Sequence, residues 1–383
     1  MELQNKKIKL FRIVTSNYCV ITHLQNTLKL TPSHVETTIF GSNVTFYQEM
    51  FPNIKFIDVP LKRDFNFILD LYSVIIISYH IVVDKPNYLH SIMTKSGLYS
   101  AIIGKLLFVP NRYHTFTGQV WATKTGIKRK LLQNVDKIIA ILNTKCWTDS
   151  PSQSKFLFDH KIKQKGKILP YIWNGSFSGV DCDLIKIENF QNQISSIKNK
   201  FLIPEEAYVI GYVARKSIDK GGLEILKIFN DLLQQNPSEK YHLLYIGPRE
   251  AEEQILKFLR ANNSIKKYMT ELEFVPNHYH TTCVCDIICL PSFREGFGSV
   301  VIDASALSIP TIGYNIPGLN DAISEGVNGF KVKCGDYKAF SKRLKKVSID
   351  RELQERLKLS SRKYAMEKFD TVEFHKILFN QYQ

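Results

Sequence analysis

The chain has 383 residues, of which 44% are hydrophobic. This length is greater than that of a domain with a single hydrophobic core, because such cores stop growing near about 250 to 300 residues. We therefore expect two domains. The net charge of +15 at pH 7, from 51 Lys and Arg against 36 Asp and Glu, favours phosphate-rich partners, namely nucleotides, nucleic acid or anionic lipid headgroups. The seven cysteines show no metal-ligand spacing, so they give no reason to expect a zinc site.

The first predicted element is a strand over residues 8–14. The residues before it lack the apolar segment and small-residue cleavage site of a secretory signal, so we expect a cytoplasmic protein. The most apolar stretch, residues 74–79, is far shorter than the roughly 18 to 20 residues that a membrane-spanning helix requires, so no spanning segment is predicted.

Short apolar runs alternate with helical stretches, a pattern typical of parallel sheets covered on both faces. In the first half of the chain, strands are predicted at residues 8–14, 35–40, 55–59, 74–79, 112–116 and 138–142. After a polar stretch, the pattern starts again, with strands predicted at residues 207–213, 241–246, 272–275, 286–290 and 310–313. The sequence therefore predicts an α/β protein with two doubly wound, Rossmann-like domains.

We predict domains at residues 1–185 and 205–369, a linker at residues 186–204, and a terminal helix within residues 370–383. In doubly wound sheets, ligands bind outside the carboxyl ends of the strands. The loops that follow the apolar runs are therefore the places to look for a site.

A basic run over residues 124–130 continues into apolar residues at helical spacing. Two interpretations stay open. The run is either a solvated helix end or a contact with an anionic membrane surface, where each Lys or Arg contributes about 1 kcal/mol.

Two cations follow the strand predicted at residues 207–213: Arg215 lies at its end, and Lys220 lies just before a helix predicted to begin near Gly222. Cations beside a helix N-terminus can clamp a diphosphate, since the helix end carries partial positive charge and N–H donors. By themselves, such residues are more often solvated.

Two carboxylates, Glu295 and Asp303, follow the strand predicted at residues 286–290. Gly296 and Gly298 allow the backbone to approach a ligand closely, and a helix predicted to begin near Ser299 directs its first N–H groups to the same place. We interpret the carboxylates as acceptors of hydrogen bonds from sugar hydroxyls. The alternative is a helix cap and a solvated helix residue.

Residues 292–313, which begin Ser-Phe-Arg-Glu-Gly-Phe-Gly-Ser, resemble the donor-site signature of the retaining family-4 glycosyltransferases, which have the GT-B fold. Residues 318–323 and 325–330 match the segments that follow it in that family. The resemblance is strong over about residues 205–370 and weaker in the first half, at residues 90–97, 114–118, 149–153 and 174–176.

The resemblance implies transfer of a sugar from a nucleotide-diphosphate donor, expected to be a UDP-sugar, to a glycan or lipid-linked acceptor in surface polysaccharide biosynthesis. It also implies an active site in the cleft between the domains, a terminal helix that packs back on the first domain, and neither a metal nor another cofactor. Apart from the resemblance, the basic run leaves open that this cytoplasmic protein is peripheral on the inner face of the membrane, with residues 124–130 in contact with anionic lipid.

Residue roles carry over from the same resemblance. The implied donor-binding residues are Arg215, Lys220, Glu295, Gly296, Phe297, Gly298, Ser299, Val300 and Asp303. Glu295 would contact the transferred sugar and Asp303 the ribose, and the two cations would hold the diphosphate. The implied catalytic residues are Glu295, Lys220, Arg215 and His114, and the implied acceptor-side residues are Ser16, Asn17, Lys95, Thr117 and Gly118. His114 is equally compatible with a core histidine.

Three features depart from the family pattern. Asp303 stands where the family usually has Glu, so its reach to the ribose is shorter by one methylene. The glycine-rich turn often found after the first strand is absent from residues 15–19, and Thr117 stands where the family often has His.

Other interpretations are weaker. Asp181 and Asp183 have the spacing of a metal-binding DxD motif, but they lie near the linker and are better explained as a solvated acidic turn. His278 and His280 lack a third ligand nearby, and no nucleic-acid-binding signature accompanies the positive charge, so we expect no nucleic acid partner. Two alternative functions stay open: a nucleotide-sugar epimerase of the same fold, and a non-catalytic basic protein that binds membranes or nucleic acid.

Overall fold

The computed structural model describes residues 7–236, 238 and 240–383. These residues form two compact units. Residues Val180–Asp370 form the second unit, and the described residues before and after them, including Thr371–Gln383, form the first.

The strands in the described part of the chain form two six-stranded sheets. They are β1 (Ile8–Ile13), β2 (Val35–Gly41), β3 (Lys55–Asp58), β4 (Tyr88–Ile92), β5 (Asn111–Phe116), β6 (Lys145–Thr148), β7 (Tyr208–Val213), β8 (Tyr241–Ile246), β9 (Met269–Leu272), β10 (Ile287–Leu290), β11 (Thr311–Tyr314) and β12 (Gly329–Val332). Their order is β3-β2-β1-β4-β5-β6 in the first unit and β12-β11-β10-β7-β8-β9 in the second. All pairings are parallel, and both orders are those of a doubly wound, Rossmann-type sheet.

The α-helices are α1 (Gln25–Lys29), α2 (Phe67–Asp84), α3 (Thr94–Leu106), α4 (Gly126–Leu142), α5 (Pro151–Asp159), α6 (Ile194–Lys200), α7 (Gly222–Gln235), α8 (Glu252–Ala261), α9 (Tyr279–Thr282), α10 (Ser299–Ala306), α11 (Leu319–Ala322), α12 (Tyr337–Ile349), α13 (Arg351–Phe369) and α14 (Thr371–Phe379). They cover the sheets because their apolar stripes match the apolar strands. In α7, for example, Ile225, Phe229 and Leu232 recur at helical spacing and are buried.

The first sheet is covered on both faces. On one face, Phe11 of β1 lies in a buried cluster with Ile77 of α2 and Ile103 of α3. On the other face, Tyr88 of β4 lies in a buried cluster with Leu378 of α14. The terminal helix, predicted within residues 370–383, is therefore part of the core of the first unit.

The second sheet lies in one large buried cluster. Val209 of β7 and Leu243 of β8 pack there together with residues of α7 and α10. Phe190 and Ile203, which fall within the predicted linker at residues 186–204, are buried in the same cluster. These residues consequently belong to the second unit, although their polar neighbours suggested a linker.

Two predicted strands are wrong, because residues 74–79 lie within α2 and residues 138–142 lie within α4. A third prediction, at residues 272–275, is displaced, because β9 ends at Leu272. A short apolar run does not by itself distinguish a strand from a helix. In α2 the longer context decides: the side chain of Asn66 caps the helix by accepting a hydrogen bond from the Leu69 N–H at 3.1 Å, and the helix ends at Lys85 with a left-handed φ of 48°. The strands β4 and β6 follow these helices.

The same correction changes the expectation about membrane-spanning segments. In the described part of the chain, α2 is the one helix that is long and apolar enough, by length and composition, to cross a membrane. The apolar stretch at residues 74–79 is only the central part of this 18-residue helix. Most of the apolar residues of α2 are exposed.

Candidate active site

The predicted donor-site residues of the second unit converge at one edge of its sheet. Arg215 and Lys220 lie in the loop after β7, and Glu295 lies in the loop after β10. These strands are hydrogen-bonded neighbours, and the strand order reverses between them. Doubly wound sheets bind their ligands at this switch point.

Lys220 and Glu295 form an ion pair, with Nζ 2.5 Å from Oε2. Their side chains are only 18% and 12% exposed. The Lys220 ammonium also donates a hydrogen bond to the carbonyl of Arg294 at 3.3 Å. Burial lowers the pKa of Lys220, and the negative charge of Glu295 opposes this shift. The loops after the two strands are thus joined by one partly desolvated charge pair.

Asp219 organises the cations next to this pair. Its carboxylate accepts hydrogen bonds from Ser217 Oγ at 2.5 Å and from the guanidinium of Arg294, and it lies 3.6 Å from Arg215. Burial acts to raise the pKa of Asp219, but the hydrogen bond from Ser217 and the charges of Arg294 and Arg215 outweigh it and lower this pKa. Asp219 therefore stays ionised.

The charges of the cluster balance. Three cations face three carboxylates: Arg215, Lys220 and Arg294 against Asp219, Glu250 and Glu295. The contacts of Arg294, Asp219 and Glu250 were not predicted. The partners are up to 75 residues apart in sequence, so no local pattern reveals them.

The backbone at the start of α10 is shaped by glycines. Gly298 precedes the helix with φ +87°, and Gly318 has φ +89°. A side-chain carbon at Gly318 would collide with the carbonyl of Gly296. This close approach brings the loop before α11 to the loop that carries Glu295. Ser299, the first residue of α10, places the helix N-terminus four residues after Glu295, and a helix N-terminus attracts anions.

The other predicted donor residues differ in their exposure. Phe297 is buried, and its ring centroid lies 5.2 Å from that of Phe369, so it supports the loop from within the core. Val300 packs against the same core. Asp303 lies one turn into α10, and its Oδ2 is 3.2 Å from Nε2 of His278. This acidic partner of His278 was not predicted from the sequence.

The predicted acceptor-side residues lie in the first unit. Ser16 and Asn17 follow β1, and Thr117 and Gly118 follow β5, so all four lie at the carboxyl edge of the sheet. All four are half-buried. Their positions leave the acceptor role as a prediction.

His114 occupies the interior of the first unit, with a side chain that is 1% exposed. Its Nδ1 is 2.9 Å from Ser91 Oγ, and a side-chain carbon at Gly97 would collide with its ring. Burial lowers the pKa of His114 to about 3, so the ring is neutral. This burial matches the core-histidine interpretation of the two that stayed open, and the catalytic role of His114 stays a prediction.

Lys95, on α3, connects that helix to α2 and to the segment before α2. Its ammonium lies 2.6 Å from Asp70 of α2 and donates hydrogen bonds to the carbonyls of Lys62 and Asp64 at 2.8 and 2.5 Å. With three acceptors, Lys95 anchors α2 and the segment before it. The acceptor-side role of Lys95 stays a prediction.

No metal cluster emerges from the part of the chain that the structure describes, in which no group of three or more His, Cys, Asp or Glu side chains could hold an ion. At the DxD-like segment, Asp181 accepts a hydrogen bond from the Leu184 N–H at 2.9 Å. This contact is the one expected of an acidic turn.

Comparison with known proteins defines the class. Residues 193–364 match the family model of the glycosyl transferases group 1. The chain is 30% identical over 322 residues to the capsular polysaccharide biosynthesis glycosyltransferase CapM of Staphylococcus aureus, covering 82% of this chain and 80% of that protein. The protein therefore belongs to the glycosyl transferases group 1 family.

Other similarities agree with this assignment. The chain is 24% identical over 304 residues to a UDP-Gal:alpha-D-GlcNAc-diphosphoundecaprenol alpha-1,3-galactosyltransferase of Escherichia coli, covering 76% of this chain and 74% of that protein. The structure of Anabaena Alr3699/HepE in complex with UDP and glucose superposes with a TM-score of 0.80 at 16% identity, covering 98% and 99% of the two chains. A sucrose-phosphate synthase from Thermosynechococcus elongatus gives a TM-score of 0.79 at 16% identity, covering 98% of both chains. The predicted GT-B fold, with two Rossmann-like α/β domains, is confirmed.

Proposed function

We propose that this glycosyltransferase is a retaining enzyme of family 4 that transfers a sugar from a UDP-sugar to a glycan or lipid-linked acceptor in surface polysaccharide biosynthesis. The single observation that carries the proposal is the Lys220–Glu295 pair at the switch point of the second sheet. It joins a cation of the kind that can bind phosphate and a carboxylate of the kind that can bind hydroxyl groups. The UDP in the solved structure of HepE supports the choice of nucleotide.

In this proposal the diphosphate replaces the carboxylates as the partner of the cations. Arg215 and Lys220 are balanced by Glu250 and Glu295 in the structure, and an incoming diphosphate brings the competing negative charge. Glu295, released from Lys220, then accepts a hydrogen bond from a hydroxyl of the donor sugar. Asp303, on α10, is proposed to accept hydrogen bonds from the ribose, in exchange for His278.

Catalysis would follow from the charge that develops on the leaving group. As the bond between sugar and phosphate breaks, negative charge grows on the diphosphate, and cations fixed in advance stabilise that state more than the ground state. Arg215, Lys220 and the N-terminus of α10 would supply this stabilisation, and we propose that no metal ion is required. The acceptor hydroxyl would attack on the same face from which the diphosphate departs and pass its proton to the departing phosphate oxygen, so the configuration is retained without an enzymic nucleophile.

We propose that the acceptor is presented at the inner face of the cytoplasmic membrane. The Escherichia coli relative carries a diphosphoundecaprenol-linked acceptor in its name, and the Staphylococcus aureus relative is named for capsular polysaccharide biosynthesis. An acceptor of this kind is anchored in a bilayer. The basic residues 124–130 and the net charge of +15 suit an anionic membrane surface.

The test is incubation of the purified chain with a panel of labelled nucleotide sugars, with and without a lipid-linked acceptor fraction. We expect transfer or slow hydrolysis of one UDP-sugar, and loss of both in Glu295→Gln. An isomerised donor would instead identify an epimerase. Absence of both turnover and nucleotide binding would identify a non-catalytic basic protein, and either result would overturn the proposal.

A further inference from the structure

Helix α2 buries the polar residues Asp70 and Ser73 on its inner side, beside apolar residues such as Ile77, and exposes mainly apolar residues on its outer side. Asp70, on the inner face, is paired with Lys95 at 2.6 Å and accepts a hydrogen bond from Tyr99 Oη at 3.0 Å. Ser73, also inside, donates to the Leu69 carbonyl at 2.8 Å. The exposed residues of the opposite side are apolar or aromatic: Ile68, Leu71, Tyr72, Ile75, Tyr79 and Val82. We call these six residues the outer face of α2.

The outer face is one continuous stripe. Ile68, Tyr72, Ile75, Tyr79 and Val82 follow one another at spacings of four, three, four and three residues, which places them on one side of a helix. At 1.5 Å per residue, the stripe is about 21 Å long. Ile68 is 75% and Ile75 is 56% exposed. An apolar stripe of this length is unusual on the surface of a soluble monomer.

Exposed apolar and basic residues also occur on the helices of the same layer. Helix α3 packs beside α2, and α4 packs beside α3. Leu106, at the end of α3, and Ile127, at the start of α4, are exposed apolar residues. The exposed basic residues of this layer are Lys62 and Arg63 just before α2, Lys105 on α3, and Lys128 and Lys130 on α4.

We propose that the outer face of α2 docks on the surface of an anionic lipid membrane, with α2 lying in the plane of the interface. Helices that bind membranes in this way combine an apolar face with a basic border, because burial of the apolar side chains and attraction to anionic lipid add together. The basic run at residues 124–130 is then one part of the border, and the apolar face of α2 is the main contact.

The inner face explains why α2 lies on the membrane rather than across it. A spanning orientation would carry Asp70 into the hydrocarbon and separate it from Lys95 and Tyr99, which is costly for a carboxylate. Charge also favours lipid over a second copy of the chain, since two such faces would bring their basic borders together.

The experiment uses the full chain and two kinds of vesicle: phosphatidylcholine alone, and phosphatidylcholine with about 30% phosphatidylglycerol, a mixture that adds anionic charge. The test variant is the double substitution Ile68→Ser with Ile75→Ser. The matched control is Leu202→Ser with Leu359→Ser, in which two leucines of the second unit, 86% and 77% exposed, receive the same change. Thermal unfolding verifies that both variants are folded.

We expect the wild type and the control to bind the anionic vesicles, and the test variant to bind them at least about tenfold more weakly, because it loses apolar area at the interface. Tyr79→Trp should give a blue-shifted emission that brominated lipid quenches, whereas Leu359→Trp should not. Equal vesicle binding by the test variant would overturn the proposal. It would also be overturned by a lipid-free dimer that the test variant converts to monomer, because the face would then join two copies.

Discussion

Removal of the Lys220 ammonium tests the centre of the site. In Lys220→Ala, Glu295 loses the partner at 2.5 Å while it remains largely buried. Breaking a buried ion pair lowers the free energy of unfolding by about 3 to 5 kcal/mol. We expect a loss of stability at the lower end, about 3 kcal/mol, because both side chains retain some exposure to water. Loss of one group that stabilises a developing charge lowers kcat by about 100- to 1000-fold, equivalent to about 2.7 to 4 kcal/mol.

The assay compares kcat and KM for the donor that the nucleotide-sugar panel identifies, at a temperature where the variant is folded. Lys227→Ala is the matched control, since Lys227 of α7 also forms an ion pair, with Glu224 at 3.2 Å, but lies on a helix away from the loop after β10. We expect it to keep wild-type turnover. A folded Lys220→Ala enzyme with normal kcat and raised KM would contradict the proposed role of Lys220, because the ammonium would then bind the ground state and the transition state equally.

Four further outcomes are expected. Glu295→Gln should nearly abolish transfer without unfolding the protein, because it removes the charge and keeps the volume; wild-type turnover by the folded variant would remove Glu295 from the site. Transfer should survive excess EDTA, and loss with recovery on adding manganese would count against the fixed-cation proposal. Because burial lowers the pKa of Lys220, kcat/KM should decline with rising pH at a pH below the ordinary lysine value of about 10.4, and in Lys220→Arg any remaining activity should lose this decline, since a guanidinium stays protonated. Leu378→Ala, in the buried side of α14, should lower the free energy of unfolding by about 2 to 5 kcal/mol in a denaturant titration, whereas Val372→Ala, at an exposed position of the same helix, should have little effect.

The fold class was predictable because the chain alternates apolar strands with helices. Strand β8 has the predicted bounds, and β7 begins one residue later than predicted. The two wrong strands, residues 74–79 and 138–142, share one cause: each is a β-branched run inside a longer helix, and a run of five or six residues fits both structures. In α2 the outer apolar residues also mask the helical periodicity, since apolar side chains occur on both sides of the helix.

The site was predictable only where its residues are close in sequence. Glu295 and the glycines before α10 form a local pattern, whereas the contacts of Asp219 with Arg294 and of Asp303 with His278 join distant loops. The burial of individual side chains was also not predictable from the sequence. The core position of His114 depends on the space left by Gly97 on the neighbouring α3. The sequence alone does not show that these two residues are in contact.

The stereochemical course of the reaction tests the central proposal most directly. The anomeric proton of the first product formed from an α-linked UDP-sugar can be followed by NMR, with the full chain, its acceptor fraction and the Glu295→Gln variant as a blank. We expect an α-configured product from the wild type and none from the variant. A β-configured first product, or an α-configured product at the same rate from the variant, would contradict it.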